Sequence, residues 1–196
     1  AEPERGAADG AGHVDKPRGA DVFKLFRQPD YLLVVGGYVA YTFALGAFAL
    51  WGPTFLSRMH EMPRAEAAKF FGIVLVVAGL LGTFMGGFAA TSWHRRNRAA
   101  YAWVLGLSVS AAVPCTVVAF LATSQLVAMV FLAAAMFLLF LGTGPVNTMI
   151  LETVPVNLRA SAMAVSIFMI HLFGDVPSPL LVGWLSDALH SLRKAV

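Results

Sequence analysis

Two ionisable side chains, His171 and Asp175, lie in a stretch of the sequence that is otherwise apolar. The stretch reads HLFGDVPSP, and its four-residue spacing puts the imidazole and the carboxylate on one helical face, one turn apart. A histidine beside a carboxylate can take up or release a proton near neutral pH. We therefore predict a protonation or headgroup-binding site, with a structural pair that only locks two helices together as the alternative.

Glycine and proline interrupt the apolar segments at several points. Each proline removes a backbone donor, and broken helices at membrane depth occur where protein or a water-lined cavity satisfies the freed carbonyl groups. The predicted helix breaks or gates are Gly174, Pro177, Pro179, Pro145 and Pro53. We interpret HLFGDVPSP as part of a lined, bendable pathway; a kink needed only for packing is the alternative.

Five further polar side chains lie inside apolar segments and are predicted to contribute to substrate binding or coupling. Thr143 and Asn147 share one face, where Asn147 can hydrogen-bond either a substrate or a neighbouring helix. Tyr38, Tyr41 and Thr42 form a polar-edged face on the first segment. Tyrosines at this depth more often serve packing, so a purely structural role stays open for them.

The amino-acid composition indicates whether these residues lie in water or in a membrane. Of 196 residues, 58% are hydrophobic and only 13% are charged, whereas globular proteins have about 45–50% and about 25%. A helix needs about 20 apolar residues to cross about 30 Å of hydrocarbon, and this chain contains several such stretches. We predict an all-α, multi-pass membrane protein.

The apolar stretches predict five transmembrane helices within a bundle over residues 30–187. Their approximate bounds are 31–56, 70–91, 99–122, 126–151 and 160–185. Residues 1–29 are predicted to be an interdomain linker, and residues 188–196 an external loop leading to a missing sixth helix. The sixth helix is expected because the glycine-proline patterns of the first and fourth helices suggest a repeat of three helices.

Basic residues predict the orientation and also limit the functions. Nine of the 14 lysine and arginine residues fall on the linker side, including Arg95, Arg96 and Arg98, so the linker is predicted to be cytoplasmic. Because the basic residues lie in loops between apolar runs, no nucleic-acid partner is indicated. Short loops and an Ala/Gly-rich composition favour a bacterial inner membrane.

Several enzyme classes leave no trace in this sequence. The single cysteine, Cys115, excludes a disulfide framework and a metal site built on cysteines. The sequence contains neither a phosphate loop nor an HExxH motif, and its serines have no recognisable histidine partner. We predict that the protein is not an enzyme and holds neither a cofactor nor a metal.

Three stretches together resemble Spinster-like transporters of the major facilitator superfamily. Residues 157–187, with NLRASAMAV and HLFGDVPSPLLVGWLSD, resemble the eleventh helix of that family. ALWGPTFL at 49–56 is similar to the end of the seventh helix, and EPERGA at 2–7 to the start of the linker before it. One departure is Thr91, which stands where the superfamily's loop between helices eight and nine usually has an aspartate.

The resemblance implies the C-terminal half of a twelve-helix transporter, here helices seven to eleven without twelve. It implies alternating access, an N-terminal six-helix half as partner, and lysophospholipid or sphingosine phosphate as substrate class. The leading hypothesis is half of a proton-coupled secondary transporter for an amphipathic anion, surrounded by membrane lipids. Alternatives are transport of small organic anions such as sugar acids, and a non-transporting membrane scaffold or sensor.

Overall fold

The structure, a computed structural model, describes residues 19–188 and places no strand among them. The helices are α1 Gly19–Val22, α2 Pro29–Met59, α3 Arg64–His94, α4 Ala100–Leu121, α5 Gln125–Leu141, α6 Thr143–Glu152, α7 Arg159–Ile170 and α8 Pro177–Ala188, with 3-10 helices at Phe23–Arg27 and Val156–Leu158. These elements form five spans that are long and apolar enough to cross a membrane: 29–59, 64–94, 100–121, 125–152 and 156–188. The prediction of an all-α membrane protein with five such helices is confirmed.

Several helices extend beyond the apolar stretches that indicate them. The second span begins at Arg64 rather than near residue 70, and α2 continues to Met59. At about 1.5 Å per residue, a helix of 31 residues is longer than the roughly 30 Å hydrocarbon layer. The difference arises because hydropathy marks the hydrocarbon core, whereas a helix continues into the polar interface.

The structure describes only part of the two predicted non-membrane segments at the ends of the chain. Residues 1–18 of the predicted 1–29 linker lie outside the described residues, as do residues 189–196 of the predicted external loop. Residues 19–27 of the linker are helical, and Leu25 within them is fully buried. This part of the linker therefore packs onto the bundle.

Helix α3 approaches α5 closely through two glycines. A Cβ atom on Gly82 would come within 2.8 Å of the Phe140 Cβ, and one on Gly86 would overlap the carbonyl oxygen of Leu141. The two glycines are four residues apart, which puts both on the face toward α5. This is the small-residue packing common between membrane helices.

The fourth span is divided at Gly142, three residues before Pro145. Pro145 was predicted to break this helix, but it lies in the first turn of α6, where a proline fits without disrupting hydrogen bonds inside the helix. Because Pro145 has no N–H, the Leu141 carbonyl loses its usual donor. That carbonyl lies against Gly86, so the break and the α3–α5 contact coincide.

Pro53 does not break its helix, contrary to the prediction. Helix α2 continues through it for six more residues, to Met59. Gly52 beside it has no room for a side chain, since the Phe71 ring of α3 occupies that space. Packing of Phe71 and the fully buried Phe55 on this turn stabilises the helix despite the missing N–H.

Candidate functional site

The candidate site is built where α2 crosses the middle of the last span. Gly46 on α2 would place a Cβ 2.6 Å from the Ser178 hydroxyl and 2.7 Å from the Asp175 Cα. From the other side, a Cβ on Gly174 would overlap the Thr42 hydroxyl and come within 3.1 Å of the Val39 carbonyl oxygen. The two backbones therefore approach each other through a glycine on each side.

At this crossing the last span widens into a π-helical turn, His171–Asp175. The Val176 amide donates to the His171 carbonyl, five residues back, at 3.3 Å. Insertions of this kind are rare and frequently occur at functional sites. The break in the last span therefore lies before Pro177 and Pro179. Helix α8 starts at Pro177, and an N–H at the start of a helix would have no partner in any case.

The π turn carries the ionisable pair. His171 Nδ1 lies 2.8 Å from Asp175 Oδ2, and the two side chains are 58% and 37% exposed. The other carboxylate oxygen, Oδ1, is buried and has no hydrogen-bond partner within residues 19–188. A buried carboxylate oxygen without a partner is costly and can accept a proton or a donor group from a ligand.

Two backbone carbonyl groups beside the pair accept hydrogen bonds from side chains. Pro179 cannot bond back to the Asp175 carbonyl, which accepts instead from the Ser178 hydroxyl at 3.2 Å. The Pro179 carbonyl accepts from the Trp51 indole of α2 at 2.9 Å. The backbone beside the His171–Asp175 pair is thus irregular but held by side chains, one of them from α2.

A second polar group lies between α2 and α6. Tyr41 donates to the Leu139 carbonyl, and its hydroxyl is also 2.9 Å from the Thr143 hydroxyl. One turn away, the Tyr38 hydroxyl interacts with the Asn147 side chain. The four predicted residues of these two helices form matched pairs across the interface, next to the break at Gly142.

Thr42 connects the two polar groups by position. Its hydroxyl donates to its own helix, with Tyr38 and Val39 carbonyl oxygens each at 3.0 Å, and it lies against Gly174. Within the described part of the chain, no hydrogen bond joins the His171–Asp175 pair to the tyrosines or to Asn147. The predicted residues therefore form two separate groups along α2 instead of one hydrogen-bonded cluster.

Sequence reasoning missed the residues that fix the last span against α2. Tyr31 donates to the Ala162 carbonyl at 2.9 Å, and Gly46 and Trp51 hold the π turn and α8. A signal was present in a buried stripe of mostly small residues spaced by four along the last span: Ala162, Ser166, Ile170, Gly174, Ser178, Val182 and Ser186. This stripe marks the face that packs on a neighbouring helix.

Acidic and histidine side chains do not gather into a metal site in residues 19–188, where no group of three or more potential ligands occurs. The chemistry that the geometry offers is proton exchange and hydrogen bonding at a half-exposed His–Asp pair. The pair lies on the π-helical turn within a bundle of apolar spans.

Comparison with known proteins identifies the family to which this chain belongs. The model of the Organic Anion Transporter Polypeptide (OATP) family matches residues 20–127 and 122–193. The chain belongs to this family. It is 34% identical, over 89% of its length, to a probable sphingolipid transporter, spinster homolog 3, of Arabidopsis thaliana, and 30% identical, over 96%, to the sphingosine-1-phosphate transporter SPNS2 of Danio rerio.

A solved structure shows the same architecture. The crystal structure of a bacterial homologue of the human lysosomal transporter Spinster, inward-facing and occupied, superposes with a TM-score of 0.76 at 27% identity over 88% of this chain. The resemblance to Spinster-like transporters and the major facilitator fold are thereby confirmed. The chain spans 34% and 40% of the two curated relatives and 37% of the crystallised homologue.

Proposed function

We propose that this chain is the C-terminal half of a secondary active transporter that moves a lipid-like anion by alternating access, coupled to protons through His171 and Asp175. The observation that carries the proposal is the half-exposed His–Asp pair, 2.8 Å apart, on a π-helical turn. Relatives named as sphingolipid and sphingosine-1-phosphate transporters support the substrate class.

The two polar groups have different roles in this proposal. The His171–Asp175 pair exchanges the proton, because its side chains are accessible and the Asp175 Oδ1 lacks a partner among residues 19–188. Asn147 and Thr143, paired with Tyr38 and Tyr41, act on the substrate or stabilise the α2–α6 contact that must change during the cycle. Gly174 in the π turn, with Pro177 and Pro179 at the start of α8, forms the segment that bends.

A partner half is part of the proposal, because one bundle supplies one wall of a cavity and alternating access moves two bundles against each other. Uptake of a labelled lysophospholipid should be saturable in liposomes that contain this chain together with an N-terminal six-helix half. The same chain reconstituted alone should give no flux above empty vesicles. Saturable uptake by the chain alone would contradict the division of roles.

The alternatives are separated in the same vesicles. A sugar acid in excess should leave lysophospholipid uptake unchanged if the substrate is amphipathic, whereas competition would favour the small organic anion. Absence of any flux from the complete protein, when it is folded and inserted, would favour a scaffold or sensor. Each result therefore points to one of the three functions.

We further propose that the chain lies in a bacterial inner membrane with the linker in the cytoplasm. Arg95, Arg96 and Arg98 between α3 and α4 are the main support, because short basic loops stay inside. Cysteines introduced by Arg64→Cys and Arg96→Cys, in a Cys115→Ser background, should label from opposite sides. Labelling of both from the same side would overturn the topology.

A further inference from the structure

A separate polar pocket lies where α2 ends and α3 begins. It encloses about 360 Å³ and is lined by Trp51, Pro53, Thr54, Ser57, Arg58 and Arg64. Its volume is at the lower end of the range of about 300–1,000 Å³ that is typical of small-molecule sites. None of the polar residues in this pocket belongs to the two groups described above.

The pocket carries unneutralised positive charge. Within residues 19–188, neither Arg58 nor Arg64 forms an ion pair, and the Thr54 and Ser57 hydroxyls make no hydrogen bond. Glu61 and Glu66 are close to these two arginines in the sequence but do not line the pocket. Two guanidinium groups and two hydroxyls facing one space match the oxygen atoms of a phosphate group.

The start of α3 adds to this preference. Arg64 is the first residue of a helix of 31 residues, and the amides at a helix start favour a bound anion, although those of Glu66 and Ala67 already donate to the Pro63 carbonyl. The partial positive charge of this helix start has the same sign as the two arginines, and Glu66 in the first turn offsets part of it.

Trp51 gives the pocket an apolar side and connects it to the site on the last span. Its indole donates to the Pro179 carbonyl at 2.9 Å, and a Cβ on Gly183 would meet its ring at 3.0 Å. The Trp51 ring is therefore held against α8. The residue that it bonds there, Pro179, follows Asp175 by four positions. An aromatic ring next to two arginines suits a ligand with a charged head and an apolar body.

We propose that this pocket binds the phosphate group of an anionic amphipath, at a site separate from the proton-exchanging His171–Asp175 pair. This inference names the headgroup chemistry of the transported class and rests to that extent on the proposed function. The same phosphate chemistry would also bind free phosphate, so the experiment separates the two sources.

The test measures Trp51 fluorescence in the full chain, purified in the uncharged detergent dodecyl maltoside. Trp93, Trp103 and Trp184 are 38%, 53% and 68% exposed, so Trp→Phe changes there leave Trp51 as the single reporter of the four tryptophans. Octyl phosphate should change its emission saturably, and octyl glucoside should not. Binding should weaken about tenfold or more in Arg58→Gln and in Arg64→Gln, because each loses a charged hydrogen-bond donor.

Arg95→Gln, at the opposite end of α3, is the matched control and should bind octyl phosphate as the parent does. Arg64→Lys keeps the charge and should recover part of the affinity that Arg64→Gln loses. Saturable binding of inorganic phosphate with the same arginine dependence would support the site and assign it to the free ion, whereas binding of octyl phosphate alone assigns it to the amphipath.

Two results would overturn the inference: an equal response to octyl glucoside, or an equal loss in Arg95→Gln. The outcome is independent of the transport assay. Phosphate binding without any flux in the complete protein contradicts the proposed function alone. Flux without phosphate binding at Trp51 contradicts this inference alone.

Discussion

Two of the close helix contacts in this bundle that depend on glycine differ in what surrounds the glycine. Between α3 and α5, Gly82 and Gly86 meet only the apolar Phe140 side chain and the backbone of Phe137 and Leu141. Between α2 and the π turn, Gly46 and Gly174 bring together Thr42, Ser178 and the Asp175 backbone. The second contact places an ionisable pair at its edge, whereas the first contains no ionisable group.

Close approach alone therefore does not distinguish the candidate site. Both contacts let backbones come together, which favours association of membrane helices. Only the α2 crossing combines close approach with a π turn, freed carbonyl groups and a carboxylate oxygen that has no partner within residues 19–188. An intramembrane carboxylate is costly, so its presence there favours a functional role.

Gly86→Ala should have the largest effect on stability. The added Cβ would overlap the Leu141 carbonyl, and a backbone atom cannot move aside as a side chain can. We expect the free energy of unfolding to fall by about 3 kcal/mol. Thermal unfolding in detergent checks this, with Gly87→Ala as the control, because a Cβ at Gly87 meets no atom within 4 Å. Equal melting of the two variants would mean that the α3–α5 contact is looser than described.

Gly174→Ala should have a smaller effect, about 1–2 kcal/mol, because the group it meets first is the Thr42 hydroxyl. Adding Thr42→Ala removes that hydroxyl and should restore part of the lost stability. The double-mutant cycle measures this coupling between α2 and the π turn. Strictly additive effects would show that the two residues do not meet.

Trp51→Phe should have the smallest effect of the three. It removes the indole donor to the Pro179 carbonyl but keeps an aromatic ring, so we expect a loss of about 1 kcal/mol. Trp184→Phe is the control, since Trp184 is 68% exposed and should change stability by less than about 0.5 kcal/mol. A larger effect at Trp184 would mean that the last span is rotated relative to α2.

The sequence was sufficient for the fold class and for the His171–Asp175 contact. Apolar stretches reveal spanning helices, and a four-residue spacing predicts contact on one face whether the turn is α or π. The π turn itself was not predictable, because it depends on the close approach of the α2 backbone at Gly46. The division of the site into two groups along α2 was also not predictable, because it depends on how the helices pack and not on residue types alone.

The proline predictions pointed to two irregular segments and were wrong for Pro53, for a related reason. Pro53, Pro145 and Pro177 are each visible as a potential break, but their effect depends on position within the helix. Pro145 and Pro177 lie in first turns, and Pro53 is stabilised by Phe71 and its neighbours. The breaks lie at Gly142 and in the π turn, a few residues before Pro145 and Pro177, whereas α2 is continuous through Pro53.

The most direct test of the proton-coupling proposal is uptake against external pH by His171→Gln in the complete transporter. Uptake is measured in matched vesicles and normalised to folded protein. Glutamine keeps hydrogen bonding but cannot titrate, whereas histidine titrates between about pH 5 and 8. On α2, residues 31–57 contain no Asp, Glu, Lys, Arg or His that could replace it. Uptake should fall and its pH dependence across that range should flatten; an unaltered pH profile would contradict the coupling role.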